Sequence, residues 1–261
     1  MEKTLPNRFD LTGQVAVITG ASRGIGAAIA EAFAAAGARL VLAGRKIEGL
    51  ESVADGLRTH GGEVLCVACH TGRQTDTEEV AARAHAAFGG IDILVNNAAT
   101  NPHFGPILEA QESHWDKTLE VNLKGYIHMV QACVPRMRER GGGRIVNVAS
   151  VAGMVPHTGL GLYGVTKAAV LMLTRTLAAE LAKDHIRVNA LAPGLIQTRF
   201  SEALWSTPEM RERALDAIPQ HRIGQTDDLV GAVLYLASDA SSFTTGSVLI
   251  VDGGQTLGGA Y

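Results

Sequence analysis

The sequence has few cysteines, few aromatic residues and no long apolar run. Three cysteines in 261 residues are too few for a disulfide framework. Aromatic residues make up only 5% of the chain, so Ala, Val, Leu and Ile must build most of the core. No apolar stretch approaches the roughly 18 residues of a transmembrane helix, and Met1 to Gly13 lacks the apolar core of a signal peptide. We therefore expect a cytoplasmic protein.

A strong excess of charge is also missing. Lys and Arg number 23 against 26 Asp and Glu, a net charge of -3, which gives no footprint for nucleic acid or an anionic membrane. The abundant residues are hydrophobic (46%) and glycine (30 residues), as in a packed α/β protein with many tight turns. A length of 261 residues is near the upper size for one core, so we predict a single domain over 1–261.

Short aliphatic runs alternate with longer, Ala-rich stretches along the chain. The predicted strands are Val15–Thr19, Arg39–Ala43, Val64–Ala68, Ile91–Asn96, Arg144–Ala149, Ile186–Ala192 and Val248–Val251. The predicted helices are Ile25–Ala36, Ile47–His60, Thr77–Phe88, Glu112–Arg140, Leu162–Lys183 and Thr226–Leu236. This alternation predicts an α/β fold with a doubly wound parallel sheet, helices on both faces and ligands beyond the carboxyl ends of the strands.

A glycine-rich loop follows the first predicted strand. The segment from Gly20 to Gly26 leads directly into an Ala-rich helix, so its glycines let a pyrophosphate approach the backbone and the helix N-terminus. The spacing differs from the common G-x-G-x-x-G pattern, and a turn without a ligand is the alternative. We predict dinucleotide contacts by Gly20, Ser22, Arg23, Gly24, Ile25 and Gly26.

The end of the second predicted strand indicates which dinucleotide binds. Enzymes that use NAD usually place a carboxylate there, on the ribose 2′-hydroxyl, but this sequence has Gly44 followed by Arg45 and Lys46. Arginine suits a 2′-phosphate because its planar guanidinium binds it with two hydrogen bonds, and Arg23 adds a second cation. We therefore predict NADP(H); a solvated helix start is the alternative reading of Arg45 and Lys46.

Three residues predict proton chemistry at the same sheet edge. Ser150 follows the fifth predicted strand, Tyr163 comes thirteen residues later, and Lys167 is one helical turn beyond Tyr163. A neighbouring ammonium and the positive nicotinamide of an oxidised cofactor should lower the pKa of the phenol. Tyr163 would then exchange a proton with a carbonyl oxygen, while Ser150 donates a hydrogen bond to that oxygen.

Together these motifs resemble the short-chain dehydrogenase/reductase family over essentially the whole chain. Further motifs are Asn96-Asn97-Ala98, Asn122 within VNLKG, Pro193-Gly194 followed by Ile196 and Thr198, and the ending VDGG at 251–254. The resemblance implies a seven-stranded Rossmann fold and a homotetramer. It also implies a catalytic tetrad of Asn122, Ser150, Tyr163 and Lys167, of which the lysine also bonds the nicotinamide ribose. It implies cofactor contacts by Asn96, Ala98, Tyr163, Lys167, Pro193, Gly194, Ile196 and Thr198.

Three segments are similar to the NADP-dependent retinol dehydrogenase/carbonyl reductase branch of that family. They are Cys69-His70, NNAATNPHFG at 96–105 and APGLIQTRFSEALW at 192–205. The branch reduces aromatic ketones, α-dicarbonyls and retinoids, so we expect a small carbonyl or alcohol substrate. His70 departs from the family, which commonly has an Asp near the adenine at this place.

The stretch from Leu195 to Gln225 contains no predicted strand and is too long for an ordinary connection. We predict a substrate lid at about 195–225, in which Phe200, Leu204 and Trp205 cover an apolar pocket; plain packing of two short helices is the alternative. The predicted substrate contacts are His103, Met154, His157, Phe200, Leu204 and Trp205.

The spacing of the cysteines and histidines argues against haem and metal ions as ligands. Cys66 to His70 matches the C-x-x-C-H pattern of haem attachment, but side chains three positions apart on a strand point to opposite faces. The nine histidines show no metal-ligand spacing, so we predict no metal.

Three functions remain open from the sequence. The first is a ketone or aldehyde reductase that transfers hydride between NADP(H) and a carbonyl or secondary alcohol. The second is a 3-oxoacyl thioester reductase or a glucose-type sugar dehydrogenase on the same scaffold. The third is a non-catalytic relative that only binds dinucleotide, which would be expected to lack Tyr163 or Lys167.

Overall fold

Seven strands and eight α-helices alternate along residues 8–257, the part of the chain that this computed structural model describes. The strands are β1 (Val15–Thr19), β2 (Arg39–Gly44), β3 (Val64–Ala68), β4 (Ile93–Asn96), β5 (Gly143–Val148), β6 (Ile186–Pro193) and β7 (Val248–Val251). The helices are α1 (Gly24–Ala35), α2 (Ile47–Thr59), α3 (Gln74–Phe88), α4 (Glu112–Leu119), α5 (Gly125–Glu139), α6 (Gly161–Leu181), α7 (Pro208–Asp216) and α8 (Asp227–Ala237).

The strands form one parallel sheet in the order β3-β2-β1-β4-β5-β6-β7. The chain winds outward from β1 in one direction to β3, then crosses back to β4 and continues to β7. Reversal of strand order between β1 and β4 opens a crevice at the carboxyl ends of these strands, where ligands bind in such sheets. The predicted doubly wound fold with seven strands is confirmed.

Apolar side chains of the strands divide between two helical layers. Ala16 and Ile18 of β1 face a cluster with α1, α2 and α8, whereas Val15 and Val17 face a second cluster with α3, α5 and α6. Every residue of β1 is buried, as expected for a strand covered on both faces. The sheet edge that carries the crevice is therefore held from both sides by packed helices.

Two predicted elements differ from the structure. β4 begins at Ile93 rather than Ile91, and the carboxylate of Asp92 accepts a hydrogen bond from the Val15 N–H at 2.8 Å. The helix predicted over Glu112–Arg140 consists of α4, a π-helical turn at Glu120–Lys124, and α5. The remaining boundaries agree with the prediction to within three residues.

No helix within residues 8–257 is both long and apolar enough to cross a membrane. Residues 1–7 lie outside the described residues. They form part of the segment from which we predict that no signal peptide is present.

Candidate active site

The glycine loop between β1 and α1 turns the chain sharply at the edge of the crevice. Gly20 and Gly24 have positive φ angles of 65° and 58°, a region that other residues rarely adopt. A Cβ on Gly26 would lie 2.4 Å from the carbonyl oxygen of Gly20. Glycine is therefore required at two positions by the turn and at a third by close packing of helix and loop.

The N-terminus of α1 is open to an anion. No side chain caps this helix after Arg23, and its first turn holds no acidic residue. Among the described residues, only Thr198 lies within 4 Å of a Cβ placed on Gly24. Uncapped N–H groups and the positive end of the helix dipole favour a phosphate. These residues therefore fit the pyrophosphate of a dinucleotide. The side chain of Ile25 packs partly against the core, which leaves its predicted cofactor contact to the backbone.

Three cations lie at one corner of the crevice. Arg45 and Lys46 follow β2 and are exposed, as is Arg23 in the glycine loop. None of the three belongs to an ion pair within the described residues. The two segments adjoin, because the Cβ of Ser22 is 3.2 Å from the place of a Cβ on Gly49 in α2.

The structure places the side chain of Asn96 inside the protein. Asn96 is buried, and its amide donates to Asn147 Oδ1 at 3.0 Å. The predicted cofactor contact therefore remains open only for its backbone. Asn97 closes the glycine loop instead, since its amide donates to the carbonyl oxygens of Thr19 at 2.9 Å and Gly20 at 3.2 Å. The backbone N–H of Ala98 donates to Thr19 Oγ1 at 3.1 Å.

Ser150, Tyr163 and Lys167 meet beyond β5, at the start of α6. Ser150 caps a short 3₁₀ turn at Val151–Gly153, where its hydroxyl accepts a hydrogen bond from Ala152 N at 3.1 Å. The Ser150 side chain also lies close enough to the Tyr163 hydroxyl to lower the pKa of the phenol. The ammonium nitrogen of Lys167 lies 5.6 Å from the centre of the Tyr163 ring. The predicted proton-transfer group is therefore assembled by β5 and α6.

Burial controls the ionisation of this group. Lys167 is 1% exposed, and burial lowers the pKa of its ammonium to about 7. Burial also raises the pKa of Tyr163, and the nearby Ser150 side chain offsets this rise only in part. The predicted lowering of the Tyr163 pKa includes the positive nicotinamide of a bound oxidised cofactor; among the protein's own groups, the desolvation of the phenolate outweighs the stabilising contacts around it.

Lys167 has a neighbour that the sequence analysis missed. Its Nζ donates to the carbonyl oxygen of Val148 at 2.7 Å and to the hydroxyl of Tyr126 at 3.2 Å. The Tyr126 hydroxyl donates in turn to Val148 O at 2.9 Å. One signal was available, because Tyr126 lies four positions after Asn122 and thus on the same helical face.

Asn122 lies in the π-helical turn between α4 and α5. Its amide accepts from Thr100 N at 2.8 Å and donates to Thr100 O at 3.0 Å and to Thr166 Oγ1 at 3.1 Å. These contacts tie the loop after β4 to α6. Single π turns inside helices occur frequently at functional sites, and this one lies beside the predicted catalytic residues.

The segment after β6 borders the opening of α1. Gly194 donates its N–H to Val251 O at 3.0 Å, and a Cβ there would lie 2.7 Å from the Cβ of Asp252. Pro193 ends β6 and Ile196 is buried. Thr198 is the residue nearest to Gly24. The predicted nicotinamide segment and the glycine loop therefore face each other.

Of the predicted substrate residues, Phe200 contacts Tyr163. Its ring centre is 5.8 Å from that of Tyr163 at an angle of 49°, and 53% of its surface is exposed. Trp205 donates its indole N–H to Ser201 Oγ at 3.0 Å, and Leu204 lies beside it in a 3₁₀ turn. Phe200 thus covers one side of the Tyr163 phenol.

The other predicted substrate residues lie on separate loops. Met154 is exposed after Ser150, and His157 is partly buried, with its Nε2 lacking a hydrogen-bond partner among the described residues. Burial lowers the pKa of His157. His103 contacts Pro106 O at 2.9 Å and stacks on His114, so its ring is held within its own loop.

The cysteines of the C-x-x-C-H string face different layers of the core. Cys66 packs with α1 and α2, whereas Cys69 packs with α3 and α5, as the strand geometry predicts. Burial raises the pKa of each thiol to about 12. His70 Nε2 lies 2.8 Å from Lys117 Nζ. Residues 8–257 contain no group of three His, Cys, Asp or Glu that could hold a metal ion.

Comparison with known proteins accounts for this arrangement. A family profile described as enoyl-(acyl carrier protein) reductase matches residues 20–256. The chain is 43% identical over 247 residues to rabbit (Oryctolagus cuniculus) dehydrogenase/reductase SDR family member 4, covering 95% of each chain. The chain belongs to the short-chain dehydrogenase/reductase family. It is therefore an oxidoreductase of a family that uses a nicotinamide dinucleotide and acts on CH–OH groups of small molecules.

Solved short-chain dehydrogenases/reductases share the fold closely. Gluconate 5-dehydrogenase from Burkholderia cenocepacia, in complex with NADP and tartrate, is 36% identical with a TM-score of 0.92, and the match covers 96% of this chain and 98% of that one. A 7α-hydroxysteroid dehydrogenase complexed with NADH and 7-oxo glycochenodeoxycholic acid is 33% identical with a TM-score of 0.92, at 97% and 98% coverage. Similar chains thus bind either dinucleotide and act on unlike substrates.

Proposed function

We propose that this protein is an NADP(H)-dependent oxidoreductase that interconverts a ketone or aldehyde and the corresponding alcohol. The observation that carries the proposal is the Tyr163 phenol. It lies beside the Ser150 side chain and the buried ammonium of Lys167 and is covered by Phe200. A protonated phenol at the wall of an apolar cleft is suited to donate a proton to a carbonyl oxygen.

The proposed roles follow from these contacts. Bound NADPH supplies the hydride. Tyr163 gives its hydroxyl proton to the carbonyl oxygen, and Ser150 donates a hydrogen bond to the same oxygen as negative charge develops there. The Lys167 ammonium stabilises the phenolate that Tyr163 becomes. Because burial raises the pKa of Tyr163, the phenol is protonated at neutral pH, as reduction requires.

The preference for NADP(H) is supported by the charged corner after β2. Gly44 leaves no carboxylate to repel a 2′-phosphate, and Arg23, Arg45 and Lys46 are free of ion pairs among the described residues. Charge-assisted hydrogen bonds from Arg to phosphate are among the stronger ones in proteins.

An apolar substrate is supported by the side chains around Tyr163. Phe200 lies against the Tyr163 ring and is exposed; Met154, four residues after Ser150, and Phe104, on the loop after β4, are further exposed large apolar residues. We propose that they bind bulky or aromatic carbonyl compounds beneath a lid at about residues 195–225.

A sugar-type dehydrogenase is the second candidate, because several of the similar structures are gluconate dehydrogenases. Such substrates need many hydrogen-bonding groups, whereas the ring in contact with Tyr163 is that of Phe200, an exposed apolar residue.

The deciding experiment measures oxidation of NADPH and of NADH with an aryl ketone, an α-dicarbonyl, a 5-keto sugar acid and a 3-oxoacyl thioester. The Tyr163→Phe variant serves as the background control. We expect the highest kcat/KM for the aryl ketone or α-dicarbonyl with NADPH. A clear preference for the sugar acid or the thioester would replace the proposed substrate class, and turnover equal to that of the variant would refute the enzyme function.

We also propose a homotetramer. Val165 and Met172 are exposed large apolar residues seven positions apart on α6, so they share one helical face. Such a stripe on the outside of a long helix is suited to a symmetric contact with a second copy. Light scattering that gives the mass of one chain would refute the proposal.

A further inference from the structure

Tyr126 is a buried phenol that none of the proposed chemical steps uses. It lies in the first turn of α5 and is 1% exposed. A hydroxyl at such a place is unfavourable unless it is hydrogen-bonded, and a phenylalanine would fill nearly the same space without that penalty. The two hydrogen bonds of the Tyr126 hydroxyl, to Val148 O and from Lys167 Nζ, therefore indicate what the oxygen is for.

The orientation of the Tyr126 hydroxyl suits a cation. Its proton is directed to Val148 O at 2.9 Å, so a lone pair of the oxygen remains for the Lys167 N–H at 3.2 Å. The same carbonyl of Val148 accepts from Lys167 at 2.7 Å.

The hydrogen-bond donors of Lys167 divide between the protein and the crevice. An ammonium has three N–H donors, of which the structure assigns one to Val148 O and one to Tyr126. The third is left for a group in the crevice, such as the ribose hydroxyl of a bound dinucleotide. Fixing two donors on one side of the nitrogen sets the direction of the third.

We propose that Tyr126 is a positioning residue that holds the Lys167 ammonium charged and directs its remaining N–H into the crevice. The kinetic consequences rest on the proposed function, whereas the effect on Lys167 itself does not. The groups around the ammonium support the assignment. The described contacts of Lys167 come from β5 through Val148, from α5 through Tyr126 and from its own helix through Tyr163, and none is a carboxylate.

The first test titrates Lys167 directly. In protein labelled with ¹³C-lysine, the Cε signal of Lys167 is followed by NMR against pH and assigned with Lys167→Arg. Tyr126→Phe removes the acceptor oxygen and keeps the ring, so the pKa of Lys167 should fall by about one unit, the ten-fold change expected for one hydrogen bond to a charged group. An unchanged titration in Tyr126→Phe would overturn the proposal.

Tyr235→Phe is the matched control. Its phenol on α8 is partly buried and lies 2.9 Å from Thr244 Oγ1, so the variant loses the same atom without a contact to Lys167. Its Lys167 titration should match that of the wild type. Tyr126→Met, which also lacks the oxygen, provides a second variant if Tyr126→Phe does not fold. A general loss of packing would lower Tm without moving the titration.

The second test uses the reaction. In Tyr126→Phe, the fall of kcat/KM at alkaline pH should begin about one pH unit lower than in the wild type, and KM for NADPH at pH 8 should rise about ten-fold. A lower kcat at all pH values with no shift of the profile would contradict the positioning role. If no carbonyl is reduced at all, the proposed function fails, while the NMR titration still decides the role of Tyr126.

Discussion

The two sides of the crevice, one proposed for the cofactor and one for the substrate, differ in how far their residues are buried and hydrogen-bonded to the rest of the protein. On the cofactor side, β1 is buried throughout and Asn97 ties the glycine loop to Thr19 and Gly20. On the substrate side, α7 has no buried residue and Phe200 is 53% exposed. The loops proposed to bind the dinucleotide are thus short and tied to the core, whereas α7, in the segment proposed to meet the substrate, is exposed and can change without disturbing the core.

Tyr163 stands where the two sides meet, and removal of its hydroxyl should abolish the reaction while leaving cofactor binding nearly intact. Tyr163→Phe keeps the ring against Phe200 but cannot pass a proton to the carbonyl oxygen. We expect kcat to fall by about 10²–10⁴-fold while the Kd for NADPH stays within about two-fold of the wild type, since no charge-assisted contact is lost. Steady-state kinetics and calorimetry check the two halves. Retention of more than about a tenth of the wild-type kcat would contradict general acid catalysis by Tyr163.

Substitution of Lys167 measures how much its burial lowers the free energy of unfolding. Because burial lowers its pKa to about 7 from 10.5, the folded protein binds fewer protons than the unfolded chain between these pH values. This group therefore makes the free energy of unfolding rise with pH in that window.

Lys167→Met removes this dependence. We compare the free energy of unfolding of the variant with that of the wild type. The difference in favour of the variant should be larger at pH 7 than at pH 10 by about 2–4 kcal/mol, although the variant should lose activity. Urea unfolding of both proteins at the two pH values measures the difference. An equal gain at pH 7 and pH 10 would show that Lys167 is charged throughout this range in the folded protein.

Arg45 tests the cofactor side alone. Arg45→Asp places a carboxylate where the 2′-phosphate is expected, so the ratio of kcat/KM for NADPH to that for NADH should fall. One charge-assisted hydrogen bond is worth about 1.5–3 kcal/mol, which corresponds to a change of about ten- to a hundred-fold. Arg83→Asp, at an exposed position on α3, provides the same charge change away from the crevice and should leave the ratio unaltered. Equal affinity of the wild type for both cofactors would refute the preference.

Phe200 tests the substrate side, where we expect the smallest effect. Phe200→Ala should lower kcat/KM for an aryl ketone by about ten-fold, because part of a ring contact worth about 1.5–3 kcal/mol is lost. The Kd for NADPH should not change if the two sides are as independent as their packing indicates. Phe243→Ala, at another exposed phenylalanine, is the control. A loss of NADPH binding in Phe200→Ala would show that the two sides are coupled.

Most of the fold and the reacting group could be predicted because their signals are local. Each of these signals lies within a short stretch of sequence. This holds for β1, for the glycine turn and for the pair Tyr163 and Lys167. The misses depend on distant partners. Tyr126 meets Lys167 across 41 positions of sequence, and Asn97 meets Thr19 across 78.

The side chain of Asn96 also depends on a partner distant in sequence. Only the packing of the strands decided that its amide faces Asn147 rather than the crevice. The π turn that carries Asn122 was equally hidden, because the residues of Glu120–Lys124 continue the helical pattern of their neighbours.

The sequence by itself determined the alternation of strands and helices, the glycine loop, the cations after β2 and the spacing of Ser150, Tyr163 and Lys167. The tertiary structure decided the ionisation of these groups. Burial lowers the pKa of Lys167 and raises that of Tyr163, whereas the prediction from sequence considered only the Lys167 ammonium and a bound oxidised nicotinamide. The reason is physical: desolvation depends on every element packed around a group, and those elements come from all parts of the chain.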